Sequence, residues 1–127
     1  GHPVRDVREA RAAARAIAAM GPRYVVVKGG HFGKEATDVL YDGTHFTELS
    51  AQRIATTSTH GTGCTFSSAI CAGLAQGQSV VQSVRRAKEY VHQSMIVAFP
   101  LGAGHGPLHH FHRWWTMPMK KYNWREN

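Results

Sequence analysis

Cys64 stands between the turn Gly61-Thr62-Gly63 and the small-residue run TFSSAI, which reads as the start of a helix. A thiol in that place can do chemistry. Glycines let main-chain N–H groups converge on one point, and a helix start adds about half a positive charge. The stretch THGTGCTFSSAI, residues 59–70, therefore reads as an anion site with a cysteine at its positive end. Cysteines in such settings ionise more readily, which makes a thiolate base or nucleophile available near neutral pH. The turn lacks the Lys-Ser/Thr ending of a P-loop, and that class of phosphate binder is excluded. On the residues alone a second reading stays open. Free cysteine is commonly buried, so Cys64 could simply pack a tight turn.

Elements on either side must position such a turn. Residues 4–20 are rich in Ala and Arg, and Val4, Val7, Ala10, Ala14, Ile17 and Ala18 recur at helical spacing with the arginines mainly opposite. Gly21-Pro22 stops that helix. RYVVVK is a short β-branched run, the mark of a strand buried on both faces, and a helix feeding it points to an α/β sheet. In DVLYDGTHFTEL, Asp42-Gly43 separates two alternating segments as in a hairpin. From Gly63 a helix runs to its stop at Gly77, its small residues suited to close burial. A longer amphipathic helix follows, with Ser79 as N-cap and Val80, Val84, Ala87, Val91, Met95 and Ala98 inward. After Pro100 no helical or strand period remains.

Composition narrows the function classes. A chain of 127 residues with 43% hydrophobic and 18% charged residues fits one soluble globular domain and argues against disorder. The net charge of +7 favours acidic partners, among them a nucleotide polyphosphate. Lys and Arg are scattered, never in runs longer than a pair, so no nucleic-acid partner is expected. No stretch approaches the roughly 20 apolar residues of a membrane span, and neither a signal peptide nor a membrane partner is expected. Cys64 and Cys71 lie seven apart on one helix, roughly 10 Å along its axis, too far for a disulfide. Reduced thiols suggest a cytoplasmic protein. The opening GHPVRDV, without Met, reads as the middle of something longer.

The words VVVKGGH (25–31), DVLYDG (38–43), THGTGCTFSSAI (59–70), SVRRAKEYV (83–91) and GHGPLHH (104–110) come in one order and spacing. Together they closely resemble the C-terminal half of the bacterial hydroxymethylpyrimidine/phosphomethylpyrimidine kinases of thiamine biosynthesis, which have the ribokinase-like fold. The resemblance covers residues 1–112 and leaves 113–127 as a tail of unknown role. It implies an α/β fold seen in its C-terminal, nucleotide-binding part, an incomplete sheet flanked by helices. It implies phosphoryl transfer from MgATP to the hydroxymethyl group of 4-amino-5-hydroxymethyl-2-methylpyrimidine, then to the monophosphate so formed. In that family the GTGC turn is the anion hole over the transferred phosphoryl group and its cysteine the catalytic base. These roles fall here on Gly61, Thr62, Gly63 and Cys64, and Lys28 matches a lysine that approaches the phosphates. ATP and Mg²⁺ are the implied cofactors, and the full-length form is expected to be a homodimer. The family's first half, with its pyrimidine pocket and magnesium-binding acidic groups, is not in this chain, so catalysis by the chain alone is not expected.

Two other readings stand beside this one: a pyridoxal-type kinase of the same fold, and a non-catalytic basic binding module. Without the resemblance, Lys28 would read as a solvent lysine at a strand end. His31 is assigned either to the nucleotide side or to a loop cap. Asp38 reads as a turn former. His105, His109, His110 and His112 suggest a metal, but no Cys joins them, and loop packing is the expected role; no metal site is assigned. Trp114, Trp115 and Trp124 could stack on bases, although anchoring a tail onto its own domain is the commoner use. Cys71 is expected in the core.

Overall fold

The computed structural model describes residues 2–30 and 35–114. The elements run α1 (Val7–Ala18), β1 (Val25–Val27), β2 (Glu35–Tyr41), β3 (Phe46–Gln52), α2 (Thr62–Ala75) and α3 (Val80–Ile96). The three strands form one antiparallel sheet in the order β1-β2-β3, with Val26 opposite Leu40 and Val39 opposite Glu48.

Helices cover both faces of this sheet. On one face Leu40 and Leu49 pack with Phe66 of α2 and with Val84, Ala87 and Val91 of α3, joined by Leu108. On the other, Val39 packs against Ala10 of α1, with Val27 and Phe46 beside them. Successive strand residues point to opposite faces, so Val26 joins the first cluster and Val27 the second. The short valine run is covered from both sides, as its sequence implies. It achieves this within an antiparallel sheet.

The helix ends follow local chemistry. Asp6 caps α1, its carboxylate accepting from the N–H of Glu9 at 2.7 Å, so the helix starts three residues after Val4. Ile17, expected inward, is 40% exposed. Ser79 caps α3 in a reciprocal capping box with Gln82. Between β2 and β3 the loop Asp42–His45 is held by Asp42, whose Oδ1 accepts from the N–H groups of Thr44 and His45. Those bonds keep its carboxyl below the usual range. Gly43 takes φ +96°, a conformation that other residues rarely adopt.

Helix α2 departs from expectation. It carries no charged residue on any side, yet only Phe66 and Gly73 are buried, and Cys71 is exposed rather than in the core. One side packs on α3 and the other is open. Where the two helices touch, a Cβ on Gly73 would lie 2.7 Å from Ser83 Oγ and 3.0 Å from Ser83 Cβ. Ser83 is fully buried and has nowhere to retreat. Gly73→Ala should therefore cost about 1–3 kcal/mol, the usual range for overpacking. Urea unfolding would show it as a lower midpoint, and an unchanged midpoint would show that the helices can move apart freely.

Candidate active site

The turn before α2 has the geometry of an anion cradle. Gly61 is the N-cap with φ +84°, which a side chain would strain, and no side chain caps the helix. Thr65 donates to the carbonyl of Gly61 at 2.9 Å, and Thr62 reaches Thr59 at 3.4 Å. Among the described residues, no acceptor meets the amides of Gly63 and Cys64. They point out from the helix start together with its dipole.

Gly63 is informative in a different way. Its φ is not positive, and a Cβ built on it would meet nothing within 4 Å. Neither backbone conformation nor packing therefore requires glycine there. Open space above a helix N-terminus is what close approach of an anion needs.

The turn is anchored from the C-terminal loop. His60 donates to the carbonyl of Gly106 at 3.1 Å and pairs with Pro107 in an isolated bridge. Ser58 is buried at 2% exposure and donates to the carbonyl of Phe99. A Cβ on Gly106 would come within 2.7 Å of Ser58 Oγ, so these two segments close tightly. The histidines beyond serve this loop. The ring of His109 meets Phe99 edge-on, and His112 lies against Tyr90 with its Nδ1 3.1 Å from Ser94 Oγ. Tyr90 also donates to the carbonyl of His110 at 2.8 Å.

Lys28 reaches the site from the end of β1. Its Nζ lies 5.1 Å from the centroid of the Phe66 ring, two residues beyond Cys64. Strands β2 and β3 separate Lys28 from α2 in the chain, and the fold brings the two together. Burial lowers its proton affinity most, nearby Asp38 raises it, and Lys88 lowers it again. Cys64 is exposed and opens onto a groove of about 600 Å³. That groove runs along α2 past Ser68 and Ala72, with Arg86 and Tyr90 of α3 opposite. Trp114 borders it but is 76% exposed, so it does not anchor the tail onto the described residues. His31, Trp115 and Trp124 lie outside the described residues.

Asp38, like Cys71, lies elsewhere than its sequence suggests. It sits within β2, not in a turn, and is 4% exposed. Its Oδ1 accepts from the N–H of Gly29 at 2.8 Å, and its Oδ2 meets Lys88 Nζ at 2.9 Å. The available signal was a charged residue, Asp38, heading the apolar strand segment VLY, and a lysine on a mainly apolar helix face fifty residues on. Charges on covered faces are expected to pair.

The residues fit one implied ligand better than the other. Open amides at a helix start and a nearby ammonium suit nucleotide phosphates. For a divalent cation the described residues bring together no group of three His, Cys, Asp or Glu, and Asp38 is already committed.

Comparison with known proteins identifies the family. The family model described as phosphomethylpyrimidine kinase matches residues 1–109. A hydroxymethylpyrimidine/phosphomethylpyrimidine kinase of Rhizobium meliloti is 49% identical over 113 residues, which cover 87% of this chain and 42% of that protein. The thiamine biosynthesis bifunctional protein ThiED of Geobacter sulfurreducens is 43% identical over 111 residues, 87% of this chain and 23% of that protein. The solved ADP complex of Bacillus subtilis pyridoxal kinase superposes with a TM-score of 0.84 at 38% identity, over 88% of this chain and 43% of that one. The chain spans less than half the length of these relatives. It belongs to the phosphomethylpyrimidine kinase family.

Proposed function

We propose that residues 1–112 form the C-terminal, ATP-binding half of a hydroxymethylpyrimidine/phosphomethylpyrimidine kinase. The reaction is phosphorylation of 4-amino-5-hydroxymethyl-2-methylpyrimidine and then of its monophosphate, in thiamine biosynthesis. The observation that carries this reading is the uncapped start of α2, with unpartnered amides at Gly63 and Cys64 and open space over Gly63. In the proposed chemistry, Gly61 sets the turn, Thr62 carries it into the helix with its own amide turned back to Thr59, and the open amides of Gly63 and Cys64 face the charge that builds on the transferred group. Lys28 holds the nucleotide phosphates. Cys64 takes the proton from the hydroxymethyl oxygen as it attacks. When bound, MgATP supplies the phosphoryl group. Its magnesium ion would be held largely by phosphate oxygens and water.

The 49% identity to a named hydroxymethylpyrimidine/phosphomethylpyrimidine kinase favours that substrate over pyridoxal, for which the solved neighbour at 38% identity speaks. A purely basic binding module is disfavoured by what the arginines do. Arg11 pairs with Glu48 at 2.6 Å, and both Arg11 and Arg15 stack over Phe46. Both cysteines are unpaired thiols, which supports a cytoplasmic setting. No helix among the described residues is long and apolar enough to cross a membrane. A homodimer of the full-length form belongs to the same proposal.

Alkylation tests the site directly, because both thiols are accessible. ATP should slow labelling of Cys64 by iodoacetamide and leave Cys71, two turns further along α2, nearly unaffected. Mass spectrometry of the labelled peptides reads the two rates. Equal labelling with and without nucleotide would count against the assignment. The protection should also need more ATP as salt rises, since screening weakens charge-based contacts.

A further inference from the structure

The buried carboxylate of Asp38 has no part in the chemistry above, yet it lies beside the lysine that does. Its side chain is 6% exposed and that of Lys88 is 12% exposed. Both carboxylate oxygens are taken, Oδ1 by the N–H of Gly29 and Oδ2 by Lys88. Lys88 also donates to the carbonyl of Ala36 at 2.7 Å, which ties α3 to β2. Lys28 precedes Gly29 directly and feels both charges. Among the described residues no carboxylate pairs with it, and its ammonium rests over the Phe66 ring. The three side chains together, two positive and one negative, leave one positive charge. That charge is on Lys28.

A carboxylate this near would be the natural partner of Lys28 if Lys88 did not hold it. Paired with Asp38, the ammonium would be drawn toward β2 and already neutralised when an anion arrived. We propose that Lys88 is a positioning residue for nucleotide binding. By occupying Asp38, it keeps Lys28 unpaired and available to phosphate oxygens at the start of α2. This rests on the reading of that turn as the phosphate site.

Calorimetric titration of the 127-residue chain with AMP-PCP tests the proposal, alongside melting curves taken without nucleotide. Lys88→Met frees Asp38 to capture Lys28, and the dissociation constant should rise about tenfold, comparable to losing one charge-assisted hydrogen bond. Lys88→Met combined with Asp38→Asn removes the captor, while the amide oxygen can still accept from Gly29. That double variant should return to within about threefold of the wild type, because the neutral pair leaves Lys28 free. If Lys88→Met does not fold, Lys88→Gln keeps a donor for the Ala36 carbonyl and should weaken binding in the same direction. Unchanged affinity in a folded Lys88→Met or Lys88→Gln protein overturns the proposal, and so does a double variant as weak as the single one. A merely structural pair would move the melting temperature and leave the dissociation constant alone. Lys28→Met separates the two levels of the argument. If it binds like the wild type, the phosphate reading itself fails. If it weakens binding while the Lys88 variants do not, only the positioning role is lost.

Discussion

Cys64→Ala slows phosphorylation of the free alcohol by about 10²–10⁴-fold, the usual worth of a general base, if Cys64 is the base. The measurement uses the Rhizobium meliloti kinase with its matching segment replaced by residues 1–112 of this chain, so that a complete enzyme is assayed. The two steps should respond differently. The first acceptor is an alcohol that must lose a proton during attack. The second is a phosphate monoester with a second pKa near 6, largely ionised already at neutral pH. Its rate should fall much less. Cys64→Asp should recover part of the alcohol step, because a carboxylate of similar reach can accept the same proton. The amides of the turn are untouched in both variants, so stabilisation of the transferred group survives. The decisive quantity is the ratio of the two rates in the wild type and both variants. If alanine slows both steps equally, or neither, Cys64 is not the base.

Gly63→Ala should separate catalysis from folding more sharply than any other change in the turn. A Cβ there meets nothing within 4 Å and the backbone is already helical. Alanine should therefore leave stability unchanged or raise it by about 0.5–1 kcal/mol, as glycine-to-alanine changes do within helices. The methyl group would instead occupy the space in which a phosphoryl oxygen meets the Gly63 and Cys64 amides. Losing one such donor typically slows turnover by about 10²–10³-fold, and both steps should suffer alike because both pass through the same transferred group. Thermal melting and the two rate constants, taken on the same preparation, check this. A variant that melts higher and turns over normally would show that no phosphoryl group approaches the turn there. Together with Cys64→Ala the pattern is diagnostic: one variant affects mainly the first step and the other affects both.

Much of the site is legible in the linear text because its parts are local. Gly61 through Cys64 are contiguous, and the demand for a positive φ at Gly61 followed by a helix start is a property of a few bonds. The caps Asp6 and Ser79, the Asp42-Gly43 loop and the valine strand are equally local. The order of the motifs carries the family, since each keeps its spacing whatever packs around it. The sequence alone thus determined which elements form, and where a glycine turn leaves a helix start uncapped.

What the sequence could not supply is which distant residues share a charge and which apolar faces find cover. Asp38 read as a turn former because a lone aspartate beside a strand most often is one. Its partner is fifty residues away, and only the packing of α3 on the sheet brings Lys88 to it. Cys71 read as core because α2 carries no charged residue on any side, but burial depends on a neighbour, and in this chain α3 covers one side only. Lys28 could be matched to a phosphate role by its motif, yet only the tertiary structure puts its ammonium over Phe66, beside a carboxylate already taken. Local backbone chemistry is written in neighbouring residues. The electrostatic state of a site depends on through-space distances between charges, and the folded chain alone sets those distances.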